Sequence, residues 1–122
     1  MAGKPTLLGM VRTLEGVEFD GRKDLNEFME AFREWSEAGR KVCNYLTTQT
    51  YIAEGEVQAE LKKLTKGAHV WRSTRAVCRK MRGASDHLAD ASADFIAAYA
   101  AMNELMIAVE NAQLERAAAG KP

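Results

Sequence analysis

Few side chains in this chain are placed to do chemistry. His87 has Asp86 beside it and Asp90 and Asp94 three and seven residues on, which a helix would place on one face. Such a set binds a cation weakly. A carboxylate-bridged two-metal bundle needs Glu-x-x-His on two helices, and the only other histidine, His69, lies in a turn. Cys43 and Cys78 make neither a metal box nor a disulfide framework. Paired antiparallel, their segments would offset the two thiols by roughly 20 Å along the axis, too far to bridge. Ser36, Ser73, Ser85 and Ser92 have no spacing that suggests a His–acid triad. The expectation is a non-enzymatic protein with no cofactor, no metal and no small-molecule substrate.

Cations show a clearer pattern. The stretch LKKLTKGAHVWRSTRAVCRKMR, residues 61–82, holds eight Lys or Arg and no acid, in a chain whose 17 bases and 17 acids cancel. Arg72, Arg75, Arg79 and Arg82 step by three, four and three, so a helix lines them along one side. Lys62, Lys63 and Lys66 precede them, and Trp71 is placed to stack on an anionic partner. Three uses compete. Glu54, Glu56 and Glu60 are positioned to neutralise the arginines internally. A guanidinium row suits the phosphate backbone of DNA or another nucleic acid. An acidic protein, or the acidic end of another copy, is the third use, behind nucleic acid. No compact helix-turn-helix, zinc finger or basic-zipper pattern is present, so contact with nucleic acid would be to backbone rather than base edges.

The elements that must position these residues are helical. The composition is 47% apolar and 28% charged, that of a globular or bundle protein, and the only prolines are Pro5 and Pro122. In the second half Val70, Thr74, Val77, Met81, Ala84, Leu88, Ala91, Phe95, Ala98, Met102, Leu105, Val109 and Ala112 alternate steps of four and three. That is the heptad rhythm of a helix packed along its length. The first half repeats it through Leu25, Phe28, Phe32, Trp35, Gly39, Val42, Leu46, Gln49 and Ala53, then Val57, Leu61 and Leu64. Asp24 with Glu27 reads as a helix start and Gly67 as a stop. Gly39, Gly55 and Gly83 lie inside the helices, where close helix approach would offset their low propensity; a bend at residues 82–86 is the alternative.

The predicted fold is all-α: a long antiparallel, coiled-coil-like helical hairpin with helices at about 22–65 and 69–117. A short helix within 1–21, anchored by Val17 and Phe19, folds onto this hairpin or a partner's, and 119–122 form a flexible tail. A two-helix hairpin leaves apolar residues uncovered. Ile96, Tyr99, Met106, Ile107 and Leu114 are the expected oligomer interface, and dimerisation into a four-helix bundle the expected outcome, unless the N-terminal segment covers them. The uncharged run from Phe95 to Asn103 falls short of the roughly 20 residues of a membrane span. No full signal-peptide core precedes the first helix, so the expected location is the cytoplasm.

In size and outline the chain resembles the small helical-hairpin proteins exported by type VII secretion, which implies secretion as an alternative. It departs from their motifs: Trp71 follows the turn glycine, Trp35 sits within the first long helix, and Tyr99 has Asn103, not an acid, four residues on. The function expected from the residues is an assembly or adaptor protein whose basic hairpin end docks on an anionic partner. A structural module of phage or mobile-element type, assembling through its charged ends, is the other expectation.

Overall fold

The computed structural model describes residues 6–19, 21 and 24–120. The two prolines, the first five residues and residues 121–122 of the expected tail lie outside them. Among the described residues there are three helices and no strands: α1 (Leu7–Gly16), α2 (Leu25–Leu64) and α3 (Trp71–Ala119).

Local chemistry explains where each helix starts and stops. Thr6 caps α1, its Oγ1 accepting from the Gly9 N–H at 3.0 Å. Asp24 caps α2 by accepting from the Glu27 N–H at 2.8 Å. The turn after α2 runs through Gly67 at φ +84°, the left-handed region that disfavours a side chain. α3 then runs unbroken through Gly83 to Ala119, so the glycine at 83 does not divide it.

α2 and α3 pack as antiparallel neighbours. Ser92 Oγ lies 2.6 Å from Asn44 Oδ1, Tyr51 donates its hydroxyl to Asp86 at 3.2 Å, and Arg82 pairs with Glu54. These contacts share one register, which leaves residues 111–119 of α3 extending past the start of α2, all of them exposed. α1 packs on α2 and makes no packing contact with α3. Ala38 lines the α1–α2 groove, with Ala31 one heptad earlier, and both are buried. Small residues here let the short helix approach closely.

An aromatic cluster joins the pieces. Phe19, in the linker after α1, lies 5.7 Å from Phe28, 6.3 Å from Phe32 and 6.2 Å from Trp35 between ring centres. Trp35 in turn meets Phe95 of α3 edge-on at 5.0 Å.

The seam differs from the sequence expectation in one respect. The line of α3 turned toward α2 is Thr74, Cys78, Met81, Ser85, Leu88, Ser92, Phe95, Tyr99, Met102, Met106 and Val109, all at least half-buried. Half of the expected heptad is there. Of the other half, Val70, Val77, Ala84, Leu105 and Ala112 are exposed and Ala91 and Ala98 half-buried, while Cys78, Ser85, Ser92, Tyr99 and Met106, each one residue on from an expected position, face inward. Helix α3 is therefore rotated by about 50° from the expected orientation, half of one residue's angular step. Polarity supplies one reason. Ser92 gives Asn44 a hydrogen-bond partner, which alanine could not, and Ser85, small enough for close approach, is carried inward one heptad earlier.

Ser85 is fully buried, 0% exposed, and its hydroxyl has no hydrogen-bond partner among the described residues. A desolvated, unpartnered hydroxyl costs about 1–3 kcal/mol. Ser85→Ala is therefore expected to stabilise the fold by about 1 kcal/mol, raising the thermal midpoint by about 3–5 °C. An unchanged or lowered midpoint by calorimetry would show that the hydroxyl is satisfied in solution.

Candidate anionic-partner site at the hairpin tip

The first turns of α3 and the last turns of α2 bring the basic stretch to one end of the hairpin. Lys62 and Lys63 close α2, Lys66 lies in the turn, and Arg72, Arg75, Arg79 and Arg82 follow on α3. All are exposed. The register that pairs residue 44 with residue 92 also sets Glu54 opposite Arg82.

Internal neutralisation goes only a short way. Arg82 Nη2 lies 3.0 Å from Glu54 Oε1, and the Glu54 side chain is buried by this packing. Lys63 lies 3.6 Å from Glu60 on its own helix. Among the described residues, Arg72, Arg75, Arg79, Lys62, Lys66 and Lys80 have no carboxylate within 4.0 Å. Glu56 reaches none of the arginines. The competing acids expected from the sequence thus claim one arginine of four.

Trp71 is 59% exposed and sits under two guanidinium groups, with Arg72 Cζ 5.9 Å and Arg75 Cζ 5.6 Å from its ring centre. Contacts of this kind orient the arginines without cancelling their charge. A cleft of about 220 Å³ between the helices is lined by Glu54, Gln58, Arg75, Cys78, Arg79 and Arg82. A second, of about 330 Å³, runs from Lys62 and Thr65 to Trp71, Thr74 and Arg75. Arg75 borders both, so two grooves meet at one unpaired cation.

Other residues singled out in the sequence fall elsewhere. Cys43 and Cys78 are free thiols, each half-buried, and burial pushes the Cys43 thiol up from its ordinary range. Among the described residues no group of three His, Cys, Asp or Glu gathers closely enough to hold a metal. Asp86, beside His87, instead accepts from Tyr51, a contact that pushes the Tyr51 phenol up. At the far end Arg33 pairs with Glu30, holding the Glu30 carboxyl below its ordinary range.

The residues expected at an oligomer interface divide. Ile96, Ile107 and Leu114 are exposed on α3. Tyr99 is half-buried, and Met106, at 8% exposed, belongs to the inward line. The α3 rotation turns these two toward α2, so Met106 is a core residue of the chain itself. The same rotation exposes residues that heptad counting had assigned to the core, among them Val77 and Leu105, at 46% and 55%. Helix α3 also contains an 18-residue window of mean hydropathy 1.2, apolar and long enough to cross a membrane by composition alone, of which 11% is buried. The uncharged-run criterion misses it because acids interrupt the apolar residues.

Comparison of the chain with protein-family models, with curated proteins and with solved structures returns no match.

Proposed function

We propose that this chain is a non-catalytic helical-hairpin adaptor of the cytoplasm whose basic tip docks on the phosphate backbone of nucleic acid. One observation carries the reading: among the described residues Arg72, Arg75 and Arg79 stand along one side of α3 with no carboxylate partner, while buried Glu54 is taken by Arg82. Unpaired guanidinium groups in a row match a repeating anion better than one small ligand. Trp71 supplies a single stacking surface, too little for a single-strand platform, so duplex backbone is the better target. The apolar window of α3 is assigned to protein contact rather than lipid. Asp94 and Glu104 lie in the apolar half of that helix, and an acid at the bilayer centre costs about 2.5–3.5 kcal/mol on insertion scales.

The test is fluorescence anisotropy with a labelled random-sequence duplex over a salt series. About four phosphate contacts would weaken binding on the order of 10²-fold between 50 and 200 mM salt. Arg75→Glu with Arg79→Glu is expected to abolish binding while leaving helicity and oligomer size unchanged. Binding that ignores salt, or survives the double reversal, would overturn the proposal. If the reversal alters oligomer size and wild type ignores DNA, the charged tip serves self-assembly instead.

A further inference from the structure

We propose that the groove between α2 and α3 at Arg40 binds a small organic monocarboxylate, one ring or a short branched chain in size. The cleft there has a volume of about 190 Å³ and is walled by Arg33, Ser36 and Arg40 of α2 and by Phe95, Ile96 and Tyr99 of α3. It lies about 30 Å along α3 from Arg75, so it is separate from the basic tip and does not rest on the function proposed for it.

Two groups in the cleft lack the partner that their burial calls for. Ser36 is 5% exposed, and its hydroxyl has no hydrogen-bond partner among the described residues. Buried hydroxyls are nearly always paired, so this one is an unspent donor at the wall of the cleft. Arg40 is half-buried, yet among the described residues no carboxylate lies within 4.0 Å of it. A partly desolvated guanidinium without a counter-charge gains from an anion that enters its groove. Ser36 and Arg40 are four residues apart, so they stand one turn from each other on the same face of α2. One headgroup can serve both, with an oxygen on the guanidinium and an oxygen accepting from the hydroxyl.

The charges around the cleft set the headgroup. Arg33 is already engaged: it pairs with Glu30 and lies 3.9 Å from Glu37, whose carboxylate also borders the cleft. Arg40 is the cation left over, which matches a single negative charge better than a phosphate dianion. A carboxylate is planar and meets a guanidinium through two parallel hydrogen bonds. Phe95 and Ile96 offer an apolar wall to the rest of the ligand, and the Tyr99 hydroxyl a further polar contact. Pockets for drug-sized ligands run to about 300–1,000 Å³, so the smaller volume here limits the body to a single ring or a short branched chain. Such a ligand touches both long helices, close to where Phe95 lies over Gly39.

An amide-shift NMR titration of the whole chain, with benzoate as the probe, tests it. Benzoate is expected to shift the amides of residues 33–40 and 95–99 and to saturate with a Kd on the order of 1 mM. Benzamide, of the same shape without the charge, should bind at least about tenfold more weakly, and inorganic phosphate should leave these amides in place. Arg40→Gln, once shown by circular dichroism to be folded, should weaken benzoate about tenfold. Ser36→Ala should weaken it less, and Glu37→Gln should tighten it. Amides that stay still up to about 20 mM benzoate, or move equally for benzamide, would overturn the proposal. So would benzoate binding undiminished in Arg40→Gln, or shifts confined to residues 71–82, which would mark a general attraction of anions to the tip. If Arg40→Gln does not fold, the wild-type comparison of benzoate with benzamide still decides. DNA binding at the tip without any effect of benzoate here would leave the tip reading standing while this one fell.

Discussion

Phe95→Ala is expected to destabilise the hairpin by about 3 kcal/mol, more than any other single truncation on α3. The ring does two jobs. It meets Trp35 edge-on at 5.0 Å, and it lies directly over the backbone of Gly39. Truncation of a packed aromatic costs about 3–5 kcal/mol when burial is complete, and an aromatic pair adds about 0.5–1.5 kcal/mol to its area. Phe95 is half-buried, which puts the expected value at the lower end. Trp35 also anchors Phe19 and so the linker from α1, so losing its partner should loosen that connection as well. In urea the midpoint is expected to fall by about 1.5 M, taking a slope of about 2 kcal/mol per molar. The near-ultraviolet signal of Trp35 should weaken. Ile96→Ala, one residue along and exposed, is the control and should shift stability by less than about 0.5 kcal/mol. A Phe95→Ala protein within about 1 kcal/mol of wild type would mean that the α2–α3 seam is held elsewhere.

Much of the fold was legible because it depends on signals that act locally. Asp24 with Glu27 marked the start of α2, and Gly67 marked the turn. Once the turn is set, antiparallel pairing follows, and residues 44 and 92 meet as the spacing requires. The rotation of α3 was not legible. Apolar counting gives a serine no weight, so Ser85 and Ser92 lost to Ala84 and Ala91. In the packed hairpin Ser92 faces inward and pairs with Asn44, a contact that apolar counting cannot weigh. The tip was legible as a cluster of charge but not as a set of pairings. Which arginine Glu54 would take depends on a register known to within a turn, and a turn separates Arg79 from Arg82. The glycines were legible only in part: Gly39 is a close-approach position, whereas Gly55 and Gly83 have nothing within 4 Å of where a side chain would begin.

That contrast between glycines gives the second large effect. Helix propensity alone favours alanine over glycine by about 1 kcal/mol at any interior position. At Gly55, exposed and unopposed, Gly55→Ala should gain about that amount. At Gly39 the sign is expected to reverse. A Cβ there would fall 2.2 Å from Phe95 Cε1, 2.3 Å from Cζ and 2.7 Å from Cδ1, well inside contact distance. The ring cannot easily yield, because Trp35 closes its other side. Overpacking of this kind costs about 1–3 kcal/mol, so Gly39→Ala should be net destabilising despite the better helix former. The double variant isolates the cause. With Phe95→Ala already in place, the added methyl enters vacated space, and Gly39→Ala should become stabilising. The two single changes would then fail to add by about 2 kcal/mol or more, where independent sites agree to within about 0.5 kcal/mol. Additivity would place the helices farther apart in solution than the Phe95–Gly39 contact allows. The Ser92–Asn44 hydrogen bond, which needs the same close approach of α2 and α3, would then be lost as well.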